Sequence, residues 1–269
     1  MKIVVTGGSS GVGAALVHRL RDAEVWILDV QAPQAAASNV QFLHTDLSDP
    51  GAVDAALERL PEHIDGLANV AGMAQAALAE TVVAVNFLAL RHLSHHLMER
   101  LHHGGAIVNV SSVAGRDWRA RYERLLPLLQ TPDYAAGLAW CRENRERLAR
   151  DPYTFSKRAV TAYTLLAAQR ALQLGVRINC VSPGPVETPL YPQFESLMGK
   201  AQSDWTKAQT GRAASPDDIA EVLEALLVRP CRWLNGVDLP VDGGYSAGIE
   251  AGWIDFAASP VMRQRRRDG

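Results

Sequence analysis

The chain has 269 residues, 48% of them hydrophobic, and 27 basic residues against 29 acidic ones leave a formal charge of −2. This length and apolar share suit one large core, and near neutrality gives no general attraction to nucleic acid or to an anionic membrane surface. Cys141, Cys180 and Cys231 have neither metal spacing nor a disulfide framework, and no apolar run reaches membrane-spanning length, so reduced thiols and no bound metal are expected.

The chain opens on Lys2-Ile3-Val4-Val5, a short β-branched run that passes into Thr6-Gly7-Gly8-Ser9-Ser10-Gly11-Val12-Gly13 and then into a helical pattern through Leu16, Val17 and Leu20. Strand, glycine turn and helix in that order predict a dinucleotide site. The glycines let backbone approach a pyrophosphate, and the amides at the helix start favour its charge. Residues 1–6 show no secretory pattern, and a cytoplasmic protein is expected. The next strand, Val25-Trp26-Ile27-Leu28, ends at Asp29, where a carboxylate can accept from both adenosine ribose hydroxyls and repel a 2′-phosphate. No Arg or Lys lies between Asp29 and Asn39, so NAD is expected over NADP.

Further strands are expected near 40–45, 64–70, 105–111, 176–181 and 236–241, with helices between them. Such alternation predicts a single doubly wound α/β domain with ligands at the carboxyl ends of the strands. Gly7, Asp29, Asn69, Ser112 and Pro183 all fall at or just after those ends. His92, His95, His96, His102 and His103 are expected on a solvated or partly packed helix, not around a metal. Residues 116–150 read as two helices, the second started by Thr131-Pro132-Asp133 with a hydroxyl cap and proline at the first helical position.

Tyr153 and Lys157 stand four residues apart on a helix and share one face. Lowering a tyrosine pKa from about 10 toward 7 takes roughly 4 kcal/mol, about what one ammonium ~4 Å away supplies at an effective dielectric near 20. After Thr188, Leu190, Tyr191, Phe194, Leu197, Met198 and Trp205 suit either a lid over a flat apolar substrate or plain packing on the body. Trp118 is a second candidate for that mouth. Trp253, Ile254, Phe256 and Met262 suit a pocket closure, a subunit contact or a surface anchor. The arginines at 263, 265, 266 and 267 are expected in a solvated tail without nucleic-acid partners.

With Tyr153, Lys157 and the glycine pattern in hand, the chain resembles the short-chain dehydrogenase/reductases over nearly its whole length. Further matches follow in order: Asp46-Leu47; Asn69-Val70-Ala71-Gly72, with Val70 in place of a second Asn; Asn86; Ile107 to Gly115 with Ser111-Ser112; Ser182-Pro183-Gly184-Pro185-Val186-Glu187-Thr188; and Val241-Asp242-Gly243-Gly244. The resemblance implies a Rossmann-type parallel sheet of seven strands with a helical insertion, about 116–150, before the Tyr, and a lid at about 188–212. It implies Asn86, Ser112, Tyr153 and Lys157 as catalytic residues, Ser112 rather than Ser111 by register. Asn86 would hold a relay water. For the cofactor it implies Gly7, Ser9, Ser10, Gly11, Val12, Gly13, Asp29, Asp46, Leu47, Asn69, Ala71, Gly72, Tyr153, Lys157, Pro183, Gly184, Val186 and Thr188.

The short segment from Asn69 to Asn86 and the long one from Ser112 to Tyr153 resemble the subgroup of coniferyl-alcohol dehydrogenases and 3α-hydroxysteroid dehydrogenase/carbonyl reductases. Pro61 to Leu67 and Arg232 to Gly236 match the coniferyl branch more closely. An NAD-dependent alcohol dehydrogenase acting on an aryl allylic alcohol, as a homodimer or homotetramer, is therefore expected, with steroid oxidation as the enzymatic alternative. A non-catalytic NAD sensor is the alternative of another class, since a fold does not fix a function. Retention of all four catalytic candidates argues against it.

Overall fold

In a computed structural model that describes residues 1–35, 37–229 and 231–268, the apolar runs become seven parallel strands: β1 (Lys2–Thr6), β2 (Glu24–Asp29), β3 (Val40–His44), β4 (Ile64–Asn69), β5 (Leu101–Val110), β6 (Arg177–Pro183) and β7 (Asp238–Val241). Their spatial order is β3-β2-β1-β4-β5-β6-β7. The chain therefore starts at the centre, builds to one edge and crosses back beyond β1. That reversal opens a crevice at the carboxyl ends of β1 and β4, where such sheets bind ligands.

Both faces of the sheet are covered, so the central strands are apolar on both sides. Ile3 and Val5 pack into one cluster with Leu16 of α1 (Gly11–Arg19), while Val4 between them faces the other cluster. This alternation follows from the two-residue period of a strand. The first cluster also takes Ile219 and Leu223 from α11 (Pro216–Val228). The second takes α2 (Pro50–Arg59), α3 (Ala79–Val83), α4 (Ala89–Leu97) and the 22-residue α8 (Pro152–Gln173). One turn of π-helix, Ala84–Leu88, joins α3 to α4. Across the sheet, Thr6, Asn69, Asn109 and Cys180 stand in register. This buried polar row is satisfied partly within itself: Asn69 Nδ2 donates to Asn109 Oδ1 at 2.8 Å, and Asn109 Nδ2 donates to Thr164 Oγ1 of α8 at 2.9 Å.

Three local expectations are corrected. Residues 116–150 hold a 3-10 turn, Trp118–Arg121, and three helices instead of two: α5 (Tyr122–Leu129), α6 (Tyr134–Glu143) and the single turn α7 (Arg145–Leu148). The cap of α6 is Asp133, whose carboxylate accepts from Ala136 N at 2.8 Å. Thr131 instead donates back to Leu128 O, closing the end of α5. His102 and His103 lie on β5, which starts early because Leu101 pairs with Ile64 ahead of a register shift. On α4, His92 binds Asp54 at 2.6 Å, and among the described residues no group of three metal-ligating side chains forms.

Two segments complete the chain. After β6 come α9 (Tyr191–Met198) and α10 (Lys200–Thr210). After β7 come α12 (Tyr245–Ala251), a 3-10 turn at Phe256–Ala258 and α13 (Pro260–Asp268). The arginine tail is therefore helical in its backbone; the side chains of Arg265 and Arg267 lie outside the described residues. No helix among the described residues is long and apolar enough to cross a membrane.

Candidate active site

The glycine turn is shaped by close backbone approach. A side chain on Gly13 would collide with the carbonyl oxygen of Gly7, so only glycine lets α1 start this near β1. A Cβ on Gly7 would lie 2.7 Å from the Cα of Ala71, which places the loop after β4 directly against the turn. Thr6 makes that juncture: its Oγ1 accepts from both Val70 N and Ala71 N at 3.1 Å. Gly11 has φ +52°, and a Cβ there would sit 3.3 Å from the Thr188 side chain. Three sequence-distant segments thus meet at one crevice. Asp29, at the end of β2, accepts from Ser9 N at 3.1 Å and Gln31 N at 3.1 Å.

Whether this cradle fits a dinucleotide can be judged from its own atoms. Ser9 Oγ is buried without any hydrogen-bond partner, an orphan that a phosphate oxygen would satisfy. The glycine surface leaves backbone amides open at a helix start, where an anion is favoured. Leu47 is buried and Asp46 exposed beyond the end of β3. These features fit the group. Asn69 differs from the other expected cofactor residues: its side chain turns away from the turn, with Nδ2 on Ser94 Oγ and Asn109 Oδ1, so it braces β4 from within.

The four expected catalytic residues converge from three places in the fold: α8, the turn after β5 and the π turn. Asp151 caps α8 by accepting from Thr154 N, and Pro152 starts the helix, which places Tyr153 and Lys157 on successive turns of one face. Ser112 follows β5 and caps a 3-10 turn, Val113–Gly115, its Oγ accepting from Ala114 N at 3.2 Å. Ser112 also acts on the Tyr153 phenol, lowering its pKa against the larger effect of burial. Ser111 points the other way, to Lys157 O and Thr161 Oγ1, in full burial. Asn86 lies on the π turn, and a Cβ on Gly72 would be 3.5 Å from both Asn86 Oδ1 and Lys157 Nζ.

One electrostatic expectation is corrected. Lys157 Nζ donates to Val110 O at 2.8 Å and sits 5.9 Å from the Tyr153 ring centre. Burial pushes the Tyr153 phenol up to about 12 against the smaller opposing effect of Ser112, and brings the Lys157 amine down to about 8. Desolvation therefore outweighs the ion–phenol attraction that helical spacing suggests. Asn86, in turn, has its amide occupied: Oδ1 accepts from Met73 N at 2.8 Å, and Nδ2 donates to Met73 O and Ser156 Oγ. The side chain therefore fixes the loop after β4.

Phe194 of α9 meets the Tyr153 ring edge to face, with centroids 5.0 Å apart and planes at 66°. The apolar run after Thr188 splits accordingly: Phe194 faces Tyr153, Trp205 packs against Tyr245 and Phe256, and Leu197 and Met198 are exposed. Trp118 packs on the core beside Tyr122. A separate open cavity of about 410 Å³ lies beyond β7, lined by Arg116, Asp242, Ser246 and Glu250 among others; none of Asn86, Ser112, Tyr153 and Lys157 lines it. Sequence reasoning missed Thr6 and Ser156. Thr6 had a signal, a hydroxyl at the last position before a glycine turn; Ser156 had none beyond its place between Tyr153 and Lys157.

Comparison with known proteins agrees with this geometry. Residues 1–123 match the family model described as short chain dehydrogenase, and residues 137–246 match one described as Enoyl-(Acyl carrier protein) reductase. The chain is 36% identical to a coniferyl-alcohol dehydrogenase of Pseudomonas sp. (strain HR199), over 91% of this chain and 96% of that one. A 3-alpha-hydroxysteroid dehydrogenase/carbonyl reductase of Comamonas testosteroni is 27% identical, at 91% and 96% coverage. Among solved structures, a 3-alpha-hydroxysteroid dehydrogenase from Pseudomonas sp. B-0831 complexed with NADH is 32% identical. It superposes with a TM-score of 0.71, covering 93% of this chain and 99% of that one.

Proposed function

This chain belongs to the short-chain dehydrogenase/reductase family of oxidoreductases, and from that premise we propose that it is an NAD-dependent alcohol dehydrogenase whose substrate is an aryl allylic alcohol of the coniferyl type. The observation that carries the reading is the edge-to-face contact of Phe194 with the Tyr153 ring, on a phenol that Ser112 also acts on. Two polar groups that bind one oxygen lie next to an aromatic wall that suits a flat ring. The relative of 36% identity supports the same substrate class.

Gly7, Ser9, Ser10, Gly11, Val12, Gly13, Asp29, Asp46, Leu47, Ala71, Gly72, Pro183, Gly184, Val186 and Thr188 would hold the dinucleotide, with Tyr153 and Lys157 at its reactive end. When bound, its nicotinamide supplies the hydride acceptor for oxidation and the donor for reduction. Asp29 favours NAD, because a carboxylate repels a 2′-phosphate and no Arg or Lys follows before Asn39.

Ser112 donates a hydrogen bond to the substrate oxygen and stabilises charge that develops there. Tyr153 moves the proton. A phenol held neutral by burial is a donor to a carbonyl oxygen. In oxidation Tyr153 must first lose its own proton, which a higher pH favours. Oxidation is therefore expected to gain from alkaline pH.

The test is NADH formation from coniferyl alcohol, cinnamyl alcohol and a 3α-hydroxysteroid, with NAD and NADP in parallel. Turnover of the aryl alcohols with NAD supports the reading. Turnover of the steroid alone would replace it with the hydroxysteroid activity, and tight NAD binding without turnover of any alcohol would favour a sensor.

A further inference from the structure

We propose that the carboxyl-terminal segment, residues 255–268, braces the lid over Tyr153, and that Phe256 and Gln202 are positioning residues that set affinity for the alcohol. The proposal rests on the reading above that substrate binds between Tyr153 and Phe194. It starts from a weakness of the lid. Neither α9 nor α10 contributes to either hydrophobic cluster, and α9 buries no residue fully. The buried residues of α10 are Gln202, Ser203 and Thr206, all polar. Gly199, with φ +81°, separates the two helices, and Gly211, with φ +80°, ends the second; open space surrounds both. A segment hinged by glycine and outside the core has little of its own to hold it shut.

The carboxyl-terminal segment supplies the missing contacts. Trp205 of α10 meets Phe256 at 6.3 Å between ring centres and Tyr245 of α12 at 6.2 Å, both edge to face. Gln202, buried in α10, accepts from Val261 N at 3.2 Å, so the first turn of α13 is joined to the lid by a side chain shielded from water. Ser259, fully buried, anchors that turn: its carbonyl accepts from Arg263 N at 3.0 Å. From α10 the connection runs onward, because Ser203 Oγ and Tyr191 Oη share a hydrogen bond of 2.7 Å across to α9. Tyr191 and Phe194 are one turn apart on α9, and Phe194 lies on Tyr153. Phe256, Trp205, Ser203, Tyr191, Phe194 and Tyr153 thus form a continuous path from the chain end to the phenol. The steps between elements are contacts in the structure, those within α9 and α10 run along the helix, and no step touches the glycine turn.

If the brace sets lid closure, its loss weakens alcohol binding and leaves cofactor binding and the chemical step in place. The experiment uses the full chain with Phe256→Ala, Gln202→Ala and the conservative Phe256→Tyr. Trypsin cleavage after Lys200 and Lys207, both on α10, reports lid opening without any turnover. The expected result for Phe256→Ala is about tenfold faster cleavage at those two bonds, with the thermal midpoint lowered by no more than about 3 °C. Its KM for the alcohol rises about tenfold, kcat and the KM for NAD stay within about twofold, and Phe256→Tyr restores both readouts. Unchanged cleavage in both alanine variants would overturn the proposal, as would cleavage that accelerates equally throughout the chain. A wild type that oxidises no alcohol removes the substrate reading, and the trypsin comparison still decides the brace.

Discussion

The two walls of the crevice are built from different materials. On the glycine side, shape comes from backbone: Gly13 against the Gly7 carbonyl, Ala71 against Gly7, and Thr6 holding two amides of the loop after β4. Those atoms sit at the ends of core strands, so their places are set by the sheet itself. On the substrate side, shape comes from side chains: the lid lies outside the hydrophobic clusters, and 116–150 joins the body through Leu125, Leu128, Tyr134, Cys141 and Leu148 in the core together with a few polar anchors. Arg91 of α4 is the main anchor of the insertion. Its guanidinium, 9% exposed, donates to Leu128 O and Thr131 O at 3.1 Å and to Asp133 O at 2.7 Å, across the α5–α6 junction. Tyr134 adds a bond to Leu47 O, and Arg145 pairs with the buried Glu80 of α3, whose carboxyl it holds below the usual range. Backbone shape is conserved through almost any surface change, whereas an anchored side-chain wall depends on single residues.

Tyr153 is where the walls meet, and its removal tests the division most severely. Tyr153→Phe keeps the ring against Phe194 and deletes only the hydroxyl. Turnover should fall by about 10²–10⁴-fold, while NAD affinity, measured by fluorescence titration, stays unchanged. More than a few per cent of residual activity would show that the proton is moved by another group.

Arg91→Met comes next. The three carbonyls lose their donor, and a stability loss of about 3 kcal/mol is expected from denaturant unfolding. The comparison requires the damage to be one-sided: KM for the alcohol rises and the Kd for NAD does not. Equal losses on both would mean that the insertion and the glycine side behave as one unit.

A smaller and pH-dependent effect comes from Lys157. In the fold its amine is brought down from 10.5 to about 8, so the neutral form is the one the fold prefers. Unfolded chains hold that proton up to 10.5, and stability should therefore rise with pH from about 8 to 10.5 and be flat below 8. Tyr153 acts in the opposite sense higher up, because its phenol, raised from 10 to about 12, is preferred neutral and stability is lost as pH passes 10. Lys157→Met should abolish the rise in thermal midpoint between pH 8 and 10. A rise that persists in the variant would assign it to other groups.

The same contrast explains what could be read from the sequence. The seven strands and the doubly wound fold were legible because β-branched runs, glycine turns and helical periods all agree on them. The order of motifs also foretold which segments meet, since parallel strands bring their carboxyl ends to one edge. Hydrogen-bond partners were not legible. Nothing local says that Lys157 reaches Val110 O, that Asn86 is occupied by Met73, or that the helix carrying Asn86 relaxes into a π turn. The spacing Tyr153 to Lys157 gave the right face but the wrong balance, because spacing reports charge proximity and is silent on burial. Thr131-Pro132-Asp133 offered two possible caps, and the structure uses the carboxylate because Thr131 is already engaged by α5.

The finest test lies wholly on the backbone-built wall. Asp29 accepts from Ser9 N and Gln31 N, so its carboxylate is oriented by the glycine turn before any ligand arrives. Asp29→Ala removes the repulsion of a 2′-phosphate and the acceptor for ribose hydroxyls together. The ratio of kcat/KM for NADP to that for NAD should rise about tenfold, equivalent to ~1.4 kcal/mol. Because the bonds of Asp29 run to the glycine turn and to Gln31 and none runs to the lid, KM for the alcohol should not move. An unchanged cofactor ratio would remove Asp29 from the ribose site. A changed alcohol KM would show instead that the glycine turn, through Gly11 and Thr188, transmits strain into the lid that begins two residues later at Leu190.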